Sequence, residues 1–455
     1  MRPVDFDALI DDRPAEGVFR VSRRVFTDPD VFELEMRYIF EGGWVFLGLE
    51  SQLPNPHDFL TTTIGRKPVV VMRDQDGRLH CFLNSCRHKG AIVCRLVQGN
   101  RKLHVCPYHS WSYDSAGKNR GIKNREKGAY APAFDADGHD LAPVAKFENY
   151  RGLLFASVNP DVPALQEHLG EARTLLDIAV DQGPNGLELV PGAVHFTYEG
   201  NWKLQLENCS DAYHFTSAHT SYLRLLDQRH AQQPKAKEKS VWDEDRPWQE
   251  GGKAGTGITS GTFSFENGHV LNWNIMGISP TMPLFDRAQE LADKFGEARR
   301  NWMFNMRNLT IFPNFQMAEN ASSQLRVLRP IAPDRTEMLT YCVAPIGESA
   351  AVRRKRIRQY EDFFNPSGLA TPDDTTVYED CQSGAAAPSG WLQGYSRGMT
   401  ATRPGANELT VPIGMTPKAG VLAGPELCDE TVFHAYYRAW RALIWKGLER
   451  EGASA

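Results

Sequence analysis

No segment of this 455-residue sequence holds the roughly 20 consecutive apolar residues that a membrane-spanning helix requires. Neither sign of charge dominates: 51 basic against 56 acidic side chains leave a net charge of −5. A basic stripe able to neutralise phosphates is missing, which argues against nucleic acid as a partner. Cysteine is scarce, with eight in the whole chain, too few for a disulfide framework. Two of the eight belong to a motif described below; Cys81, Cys94, Cys209, Cys342, Cys381 and Cys428 are expected to be reduced thiols. Residues 1–12 are acidic and lack the apolar core of a secretory leader, so a cytoplasmic location is expected. Internal repeats, low-complexity tracts and a glycine-rich dinucleotide fingerprint are also missing. What remains is a globular composition, 41% hydrophobic with ten Trp and 23 Phe, in a chain long enough for two domains.

The most informative residues are Cys86-Arg87-His88 and, seventeen residues later, Cys106-Pro107-Tyr108-His109. Two Cys–His pairs of this form suit a Rieske [2Fe–2S] centre, in which one iron takes two thiolates and the other two imidazoles. Gly90 and Pro107 fit tight turns that approach the cluster closely. A structural zinc site also mixes Cys and His, but its ligand pairs favour wider spacing than Cys-x-His.

Organisation changes along the chain. Thr27-Asp28-Pro29-Asp30 opens a helix that runs through Met36, with an N-cap, an early proline and first-turn acids. From about Trp44 to Asn159, short β-rich runs (Phe59–Ile64, Pro68–Met72) alternate with turns such as Asp74–Gly77, which predicts a small all-β domain containing both Cys–His loops. Beyond it, helical patterns such as 163–180 mix with strands such as Val194–Tyr198 and Gln324–Leu328. The stretch Gly384–Gly424, rich in Gly, Pro and Ala, reads as long ordered loops or subunit contacts rather than core, and an amphipathic helix closes the chain near Thr431–Leu448.

A second constellation reads Asn201-Trp202-Lys203, Glu207-Asn208-Cys209-Ser210-Asp211-Ala212-Tyr213-His214, and His219. On a helix, Asp211 and His214 would share one face. His214 and His219, about 140° apart on an ideal helix, meet at one metal only if the helix ends or distorts between them, and Thr216-Ser217 is a candidate place. Two His plus a carboxylate make the facial triad of a non-haem Fe(II) site. Two His on a helix are otherwise often plain core or surface residues; an electron-delivery centre in the same chain favours the metal, because it needs an acceptor.

With both motifs present, the sequence resembles the large (α) subunit of a Rieske non-haem iron ring-hydroxylating oxygenase, over nearly its full length. It is most similar to the benzoate, toluate and anthranilate dioxygenase branch, through Phe32–Met36, Gly200–Leu204 and Ile357–Asn365. The resemblance implies an α+β fold, in which a small all-β Rieske domain (44–160) is inserted in a larger helix-grip catalytic domain (161–455) of antiparallel sheet and helices. An N-terminal helical segment (1–43) would pack on the latter. It implies Cys86, His88, Cys106 and His109 as [2Fe–2S] ligands, His214 and His219 as iron ligands, and Asp211 as a carboxylate linking the Rieske His of one protomer to the iron site of the next. The third iron ligand falls at Thr371-Pro372-Asp373-Asp374. These residues equally suit a helix start, with Thr as cap and the acids in the first turn; Asp374 is the better fit and Asp373 the reserve. Residues Cys209, Phe215, Tyr222, Trp273, Ile311 and Phe364, apolar and close in sequence to the metal motifs, are candidate pocket walls, each of which could be plain core. The implied partners are a small β subunit in an α3β3 assembly and an iron–sulfur flavoprotein reductase that uses NADH.

Three departures from the family pattern stand out: Ser110 where Gly is usual, Lys89 where Arg is usual, and Cys209 where the benzoate and anthranilate enzymes commonly carry Gly. The expected reaction is cis-dihydroxylation of an aromatic carboxylate. A salicylate 1-hydroxylase-type monooxygenase, releasing catechol and carbon dioxide, uses the same ligands and is the alternative. An electron-transfer protein with a vestigial second site is the third reading, separable by iron count.

Overall fold

The computed structural model describes residues 8–127, 130–232, 258–320, 322–387, 392–424 and 429–452; Cys428 and the first seven residues lie outside them. Two compact units result: Met36–Leu165, and Met1–Glu35 together with Gln166–Ala455.

The unit Met36–Leu165 is built from three small antiparallel sheets, with Pro132–Ala136 its one short α-helix among the described residues. The first sheet joins Val45–Leu49, Leu153–Ser157 and Lys146–Tyr150. The second is four-stranded and contains the hairpin Asp58–Ile64 and Lys67–Arg73, followed by Leu79–Leu83. At its Asp74–Gly77 turn, the Asp74 carboxylate accepts from the amides of Asp76 and Arg78 (both 2.9 Å), and Gly77 takes a φ of 83° that Gly alone adopts freely. The third sheet, Leu103–Val105, Ser112–Asp114 and Asn119–Gly121, brackets the second Cys–His loop. Val70, Met72, Phe82, Trp111 and Tyr113 form a core that also buries Cys86 and Cys106.

The other unit is organised by a nine-stranded sheet in the order Leu187–Tyr198, Arg335–Pro345, Ser323–Ala332, Phe315–Glu319, Met306–Ile311, Val270–Asn274, Ser260–Ser264, Ala419–Ala423 and Arg403–Pro404, every pair antiparallel. Helices and antiparallel sheet combine as the α+β expectation requires. Two readings of the sequence need correction. The N-terminal segment is not only helical: Ile10–Arg13 and Val18–Ser22 pair, and Leu392–Gly394 joins them. The Gly-rich stretch supplies to the main sheet the edge strand Arg403–Pro404 and, inside it, Ala419–Ala423. The latter's all-apolar, Gly-containing sequence shows no alternation, and Gly420 is needed because a Cβ there would lie 2.5 Å from the Phe263 ring.

One face of the sheet carries buried polar side chains that hold helices. Gln316 Nε2 donates to the carbonyls of Gln205 (3.2 Å) and Leu206 (3.5 Å), gripping the C-terminal half of the helix Trp202–Asn208. That helix starts where Asn201 caps the Lys203 amide at 3.1 Å. Its buried Lys203 meets Glu35, the last residue of the helix Pro29–Glu35, at 2.5 Å. Glu35, fully buried, also accepts from the indoles of Trp202 (2.8 Å) and Trp440 (2.7 Å). One carboxylate thus ties an N-terminal helix, the site-bearing helix and the C-terminal helix Val432–Arg450 together. The cap of the first of these is Asp28, whose Oδ1 accepts from Asp30 N at 2.9 Å; Thr27 ends a preceding turn of helix. No helix among the described residues is long and apolar enough to cross a membrane.

Candidate functional site

Past Asn208 the chain leaves the helix and is pinned by neighbours: the Ser210 carbonyl accepts from Asn272 Nδ2 (3.3 Å), and the Ser210 hydroxyl meets Tyr436 Oη (2.5 Å). Asp211 Oδ1 then accepts from the Tyr213 amide at 2.7 Å, an Asx turn. The Asp211–His214 contact, Oδ2 to Nδ1 at 3.2 Å, is therefore made across a turn and not along a helix face. His214 and His219 flank a single helical turn, Phe215–Ala218. The breaks that let both rings face one point fall at the two His themselves, not at Thr216-Ser217.

Asp373 and Asp374 come from the first turn of the helix Thr371–Ala385. Ala370 precedes that helix and no side chain caps it, so Thr371 is its first residue, not its cap. Asp374 Oδ1 lies 3.2 Å from His219 Nε2 and 3.5 Å from His214 Nε2. Ligand atoms of the three residues all fall within 4.8 Å of one another, spacing that one ion can bridge. Asp373 takes a different place: its Oδ2 is 3.4 Å from His219 Nδ1 and accepts from the Ser221 hydroxyl at 3.0 Å. Each imidazole thus presents Nε2 to the shared centre and backs Nδ1 onto a carboxylate, the arrangement that fixes ring orientation around a metal. Asn208, not anticipated from the sequence, donates to Asp374 Oδ1 at 3.1 Å and lies 3.2 Å from His214 Nε2.

The electrostatics follow from this crowding. Burial pushes the Asp374 carboxyl up, but the His219 hydrogen bond and the charges of His219, His214 and Arg326 outweigh it and hold the group below its ordinary value. Burial lowers His214, and the Asp211 hydrogen bond with the charges of Asp374 and Asp211 reverses that and raises it. One carboxylate and two imidazole nitrogens meet at the centre, with the Asn208 amide beside them, a donor set that suits a divalent cation.

Of the candidate pocket walls, Cys209, Phe215, Tyr222 and Phe364 gather here. The Cys209 thiol is reached by Thr310 and Arg326; Phe215 stands 5.5 Å from the His219 ring; Tyr222 and Phe364 share a core with Phe363. Trp273 and Ile311 do not. Their neighbours Asn272 and Thr310 point to the site, so strand alternation sends Trp273 and Ile311 to the opposite face, where Trp273 packs on Phe263 and Trp302. Nearness in sequence is no guide to facing within a strand.

In the other unit, the two Cys–His loops have the same backbone design. Gly90 N donates to Cys86 O (2.9 Å) and Ser110 N to Cys106 O (3.0 Å), while the amides of Cys86 and Cys106 donate to Ala91 O (2.9 Å) and Trp111 O (2.8 Å). Gly90 and Ser110 both take left-handed φ, 74° and 59°. Cys86 and Cys106 are buried, His88 is exposed, and the His88 and His109 rings stand 4.5 Å apart. His109 Nδ1 is shielded from solvent yet has no hydrogen-bond partner among the described residues, as expected of a nitrogen shaped to bind an iron. Burial and the charges of His88, Lys89 and Lys123 push His109 down, toward the neutral form a ligand needs. Tyr113, also missed in the sequence, places its hydroxyl 3.3 Å from Cys86 Sγ and accepts from the Arg87 amide at 3.1 Å. The residues present fit a [2Fe–2S] cluster in this unit and a mononuclear iron in the other.

Comparison with known proteins agrees. Residues 43–147 match the Rieske [2Fe-2S] domain, and residues 188–444 the ring hydroxylating alpha subunit (catalytic domain). The chain is 42% identical to the toluate 1,2-dioxygenase subunit alpha of Pseudomonas putida, covering 98% of this chain and 95% of the relative. It is 40% identical to the 2-halobenzoate 1,2-dioxygenase large subunit of Burkholderia cepacia, covering 96% and 92%. Against the anthranilate 1,2-dioxygenase large subunit of Acinetobacter baylyi the figures are 38%, 97% and 93%. A solved naphthalene 1,2-dioxygenase with indole in its active site shares the fold, with a TM-score of 0.80 at 24% identity over 96% of this chain and 93% of that one. The chain therefore belongs to the α subunits of the Rieske ring-hydroxylating dioxygenases, enzymes that carry a [2Fe–2S] cluster and a mononuclear iron.

Proposed function

We propose that this chain is the terminal oxygenase subunit that cis-dihydroxylates an aromatic carboxylate of the benzoate or anthranilate type. The observation that carries the reading is the convergence of His214, His219 and Asp374, with carboxylates behind both imidazoles, in a chain whose relatives are named for toluate, 2-halobenzoate and anthranilate. In this reading His214, His219 and Asp374 hold the iron, and Cys86, Cys106, His88 and His109 hold the cluster. When bound, these groups supply dioxygen activation and single electrons, respectively. The protein's own part is positional. Asp211 orients His214 through Nδ1, Asp373 orients His219, and Asn208 steadies the Asp374 oxygen. Phe215, Phe363 and Phe364 offer flat apolar walls to an aromatic ring.

Two features support an assembly in which protomers complete one another. His88 is exposed, as is Tyr108 (62%) against the His109 ring, and Asp211 keeps surface of its own, so both edges are open to a neighbour. We place His109 of one protomer against Asp211 of the next, within an α3β3 complex whose small β subunit is a separate chain. A cytoplasmic iron–sulfur flavoprotein reductase oxidises NADH on its behalf. Replacing Asp211 by Asn then leaves three irons per chain but stops reoxidation of the reduced cluster by dioxygen plus substrate in a single turnover. Rapid reoxidation would remove Asp211 from the contact. The reaction is tested with benzoate, anthranilate and salicylate under ¹⁸O₂, using the complete enzyme. Two labelled oxygens in a non-aromatic diol establish dihydroxylation, whereas one label in a catechol, with the carboxylate lost, replaces it by salicylate monooxygenation.

A further inference from the structure

Among the described residues of the catalytic unit, three arginines are buried: Arg307, Arg326 and Arg356. Arg307 meets Glu319 and Arg356 meets Glu348, each at 2.6 Å. Arg326 makes no ion pair among the described residues. Its Nε–H donates to Gln324 Oε1, and its guanidinium reaches the Cys209 thiol. A guanidinium carries five donors and stays charged in proteins, so one that is 91% removed from solvent without a carboxylate is poorly satisfied.

Its surroundings are those of the iron site. Arg326 lies on the strand Ser323–Ala332, opposite Gln316 and Thr340, on the sheet face that grips the site-bearing helix. Its Cζ stands 5.5 Å from the centre of the Phe364 ring. Phe364 packs on Phe363 at 5.0 Å, and Phe363 lies 6.3 Å from the His219 ring. An aromatic wall therefore runs from the guanidinium to the metal-binding residues. The arginine is also held from behind. Gln324 Nε2 donates to Asn365 Oδ1 (3.2 Å), which accepts in turn from the hydroxyls of Thr340 (2.7 Å) and Tyr360 (3.2 Å). Asn365 takes a φ of 71°, which Asn tolerates better than most residues, and so turns the chain sharply after Phe364. The segment Ile357–Asn365 thus supplies the ring beside the guanidinium and the hydrogen bonds that aim it.

We propose that Arg326 receives the carboxylate of the substrate, with Gln324 and Asn365 as its positioning residues. The inference rests on the aromatic-acid reading above and deepens it. A carboxylate matches the planar fork of Arg, and the attached ring would lie along Phe364 and Phe363 toward the iron. A neutral arene would leave the guanidinium with no hydrogen-bonded carboxylate, only the Asp374 charge that His214 and His219 share, so the site selects acids.

The test uses the complete oxygenase with its reductase, on benzoate, anthranilate and salicylate and on their neutral amides, after iron and cluster contents have been measured. In Arg326→Gln, KM for the acid rises about 100-fold or more while KM for the amide changes little, since a buried charge pair is lost only with the acid. Arg326→Lys gives a smaller rise, because charge survives without the fork, and Gln324→Leu raises KM for the acid with kcat less affected. If Arg326→Gln fails to hold its metals, the acid-to-amide ratio in Arg326→Lys decides. Iron-loaded variants with unchanged KM for the acid, or with equal losses on acid and amide, would overturn the assignment. Loss of iron alone, with normal KM in the loaded fraction, would also overturn it and make Arg326 a support for Asp374. A wild-type enzyme that oxidises none of the acids sinks the aromatic-acid reading itself, which is a distinguishable failure.

Discussion

Ser110 is a β-substituted residue in a left-handed conformation, at the position where its counterpart in the other loop is Gly90. Left-handed backbone costs a non-glycine residue roughly 1 kcal/mol, so Ser110→Gly should stabilise the cluster-bearing unit by about that amount. Thermal bleaching of the cluster absorbance would show it, and an unchanged or lower midpoint would mean that the serine hydroxyl compensates. Tyr113 points to the opposite kind of effect. Its hydroxyl faces Cys86 Sγ, and hydrogen bonds to cluster sulfurs raise reduction potential. Tyr113→Phe should therefore lower the potential in redox titration while leaving the cluster loaded. At this scale the sequence was readable where chemistry fixes spacing, at Cys86-x-His88, Cys106-x-x-His109 and the pair His214 and His219, while the acid pair at 373 and 374 was found only through the family resemblance. It was unreadable where partners come from distant strands. Arg326 meets Cys209 and Phe364 only because sheet pairing brings them together, and Trp273 and Ile311 were misplaced because strand parity, not sequence distance, decides what faces a site.

Among the elements, the helix Trp202–Asn208 is the most constrained. At its start, Lys203 and Glu35 form a fully buried pair reinforced by two indoles. Lys203→Met leaves Glu35 buried and uncompensated, and should destabilise the catalytic unit by about 3–5 kcal/mol in denaturant titration. A variant within 1 kcal/mol of wild type in that titration would show that Glu35 is neutralised some other way. Further along, burial pushes the Glu207 carboxyl up to about 7, against the hydrogen bonds it accepts from Tyr437 and Tyr395. The native state then holds a proton that the unfolded chain has released, between the ordinary value of 4.5 and about 7. That contribution is complete below the ordinary value and is lost as pH rises through the folded one. Wild-type stability should fall across this window more steeply than that of Glu207→Gln; parallel curves would place the proton elsewhere. The C-terminal helix was legible from its amphipathic pattern, whereas the turn that carries Asp211 was not: residues 211–214 were read on a helix face, and an Asx turn and a helix start share the same residues.

At the scale of the whole molecule, the chain passes into the unit Met36–Leu165 once and leaves it once. The sheets and core of that unit are assembled from its own residues, Cys86 and Cys106 among them, and all four Cys–His loop positions lie within its bounds. A segment covering residues 36–165 should therefore fold alone and show a Rieske absorption spectrum after reconstitution with iron and sulfide; a colourless, unfolded product would refute its independence. Chain length had pointed to two domains and the change of texture near Trp44 and Asn159 to where they meet; the compact unit begins several residues earlier, at Met36, where the helix Pro29–Glu35 gives way to a π-helical turn at Met36–Phe40 that no residue pattern had marked. A single entrance and a single exit make this unit an interchangeable cassette. Its redox potential can drift by exchange or recombination without moving a strand of the nine-stranded sheet. Driving force and specificity are thereby inherited as separate traits.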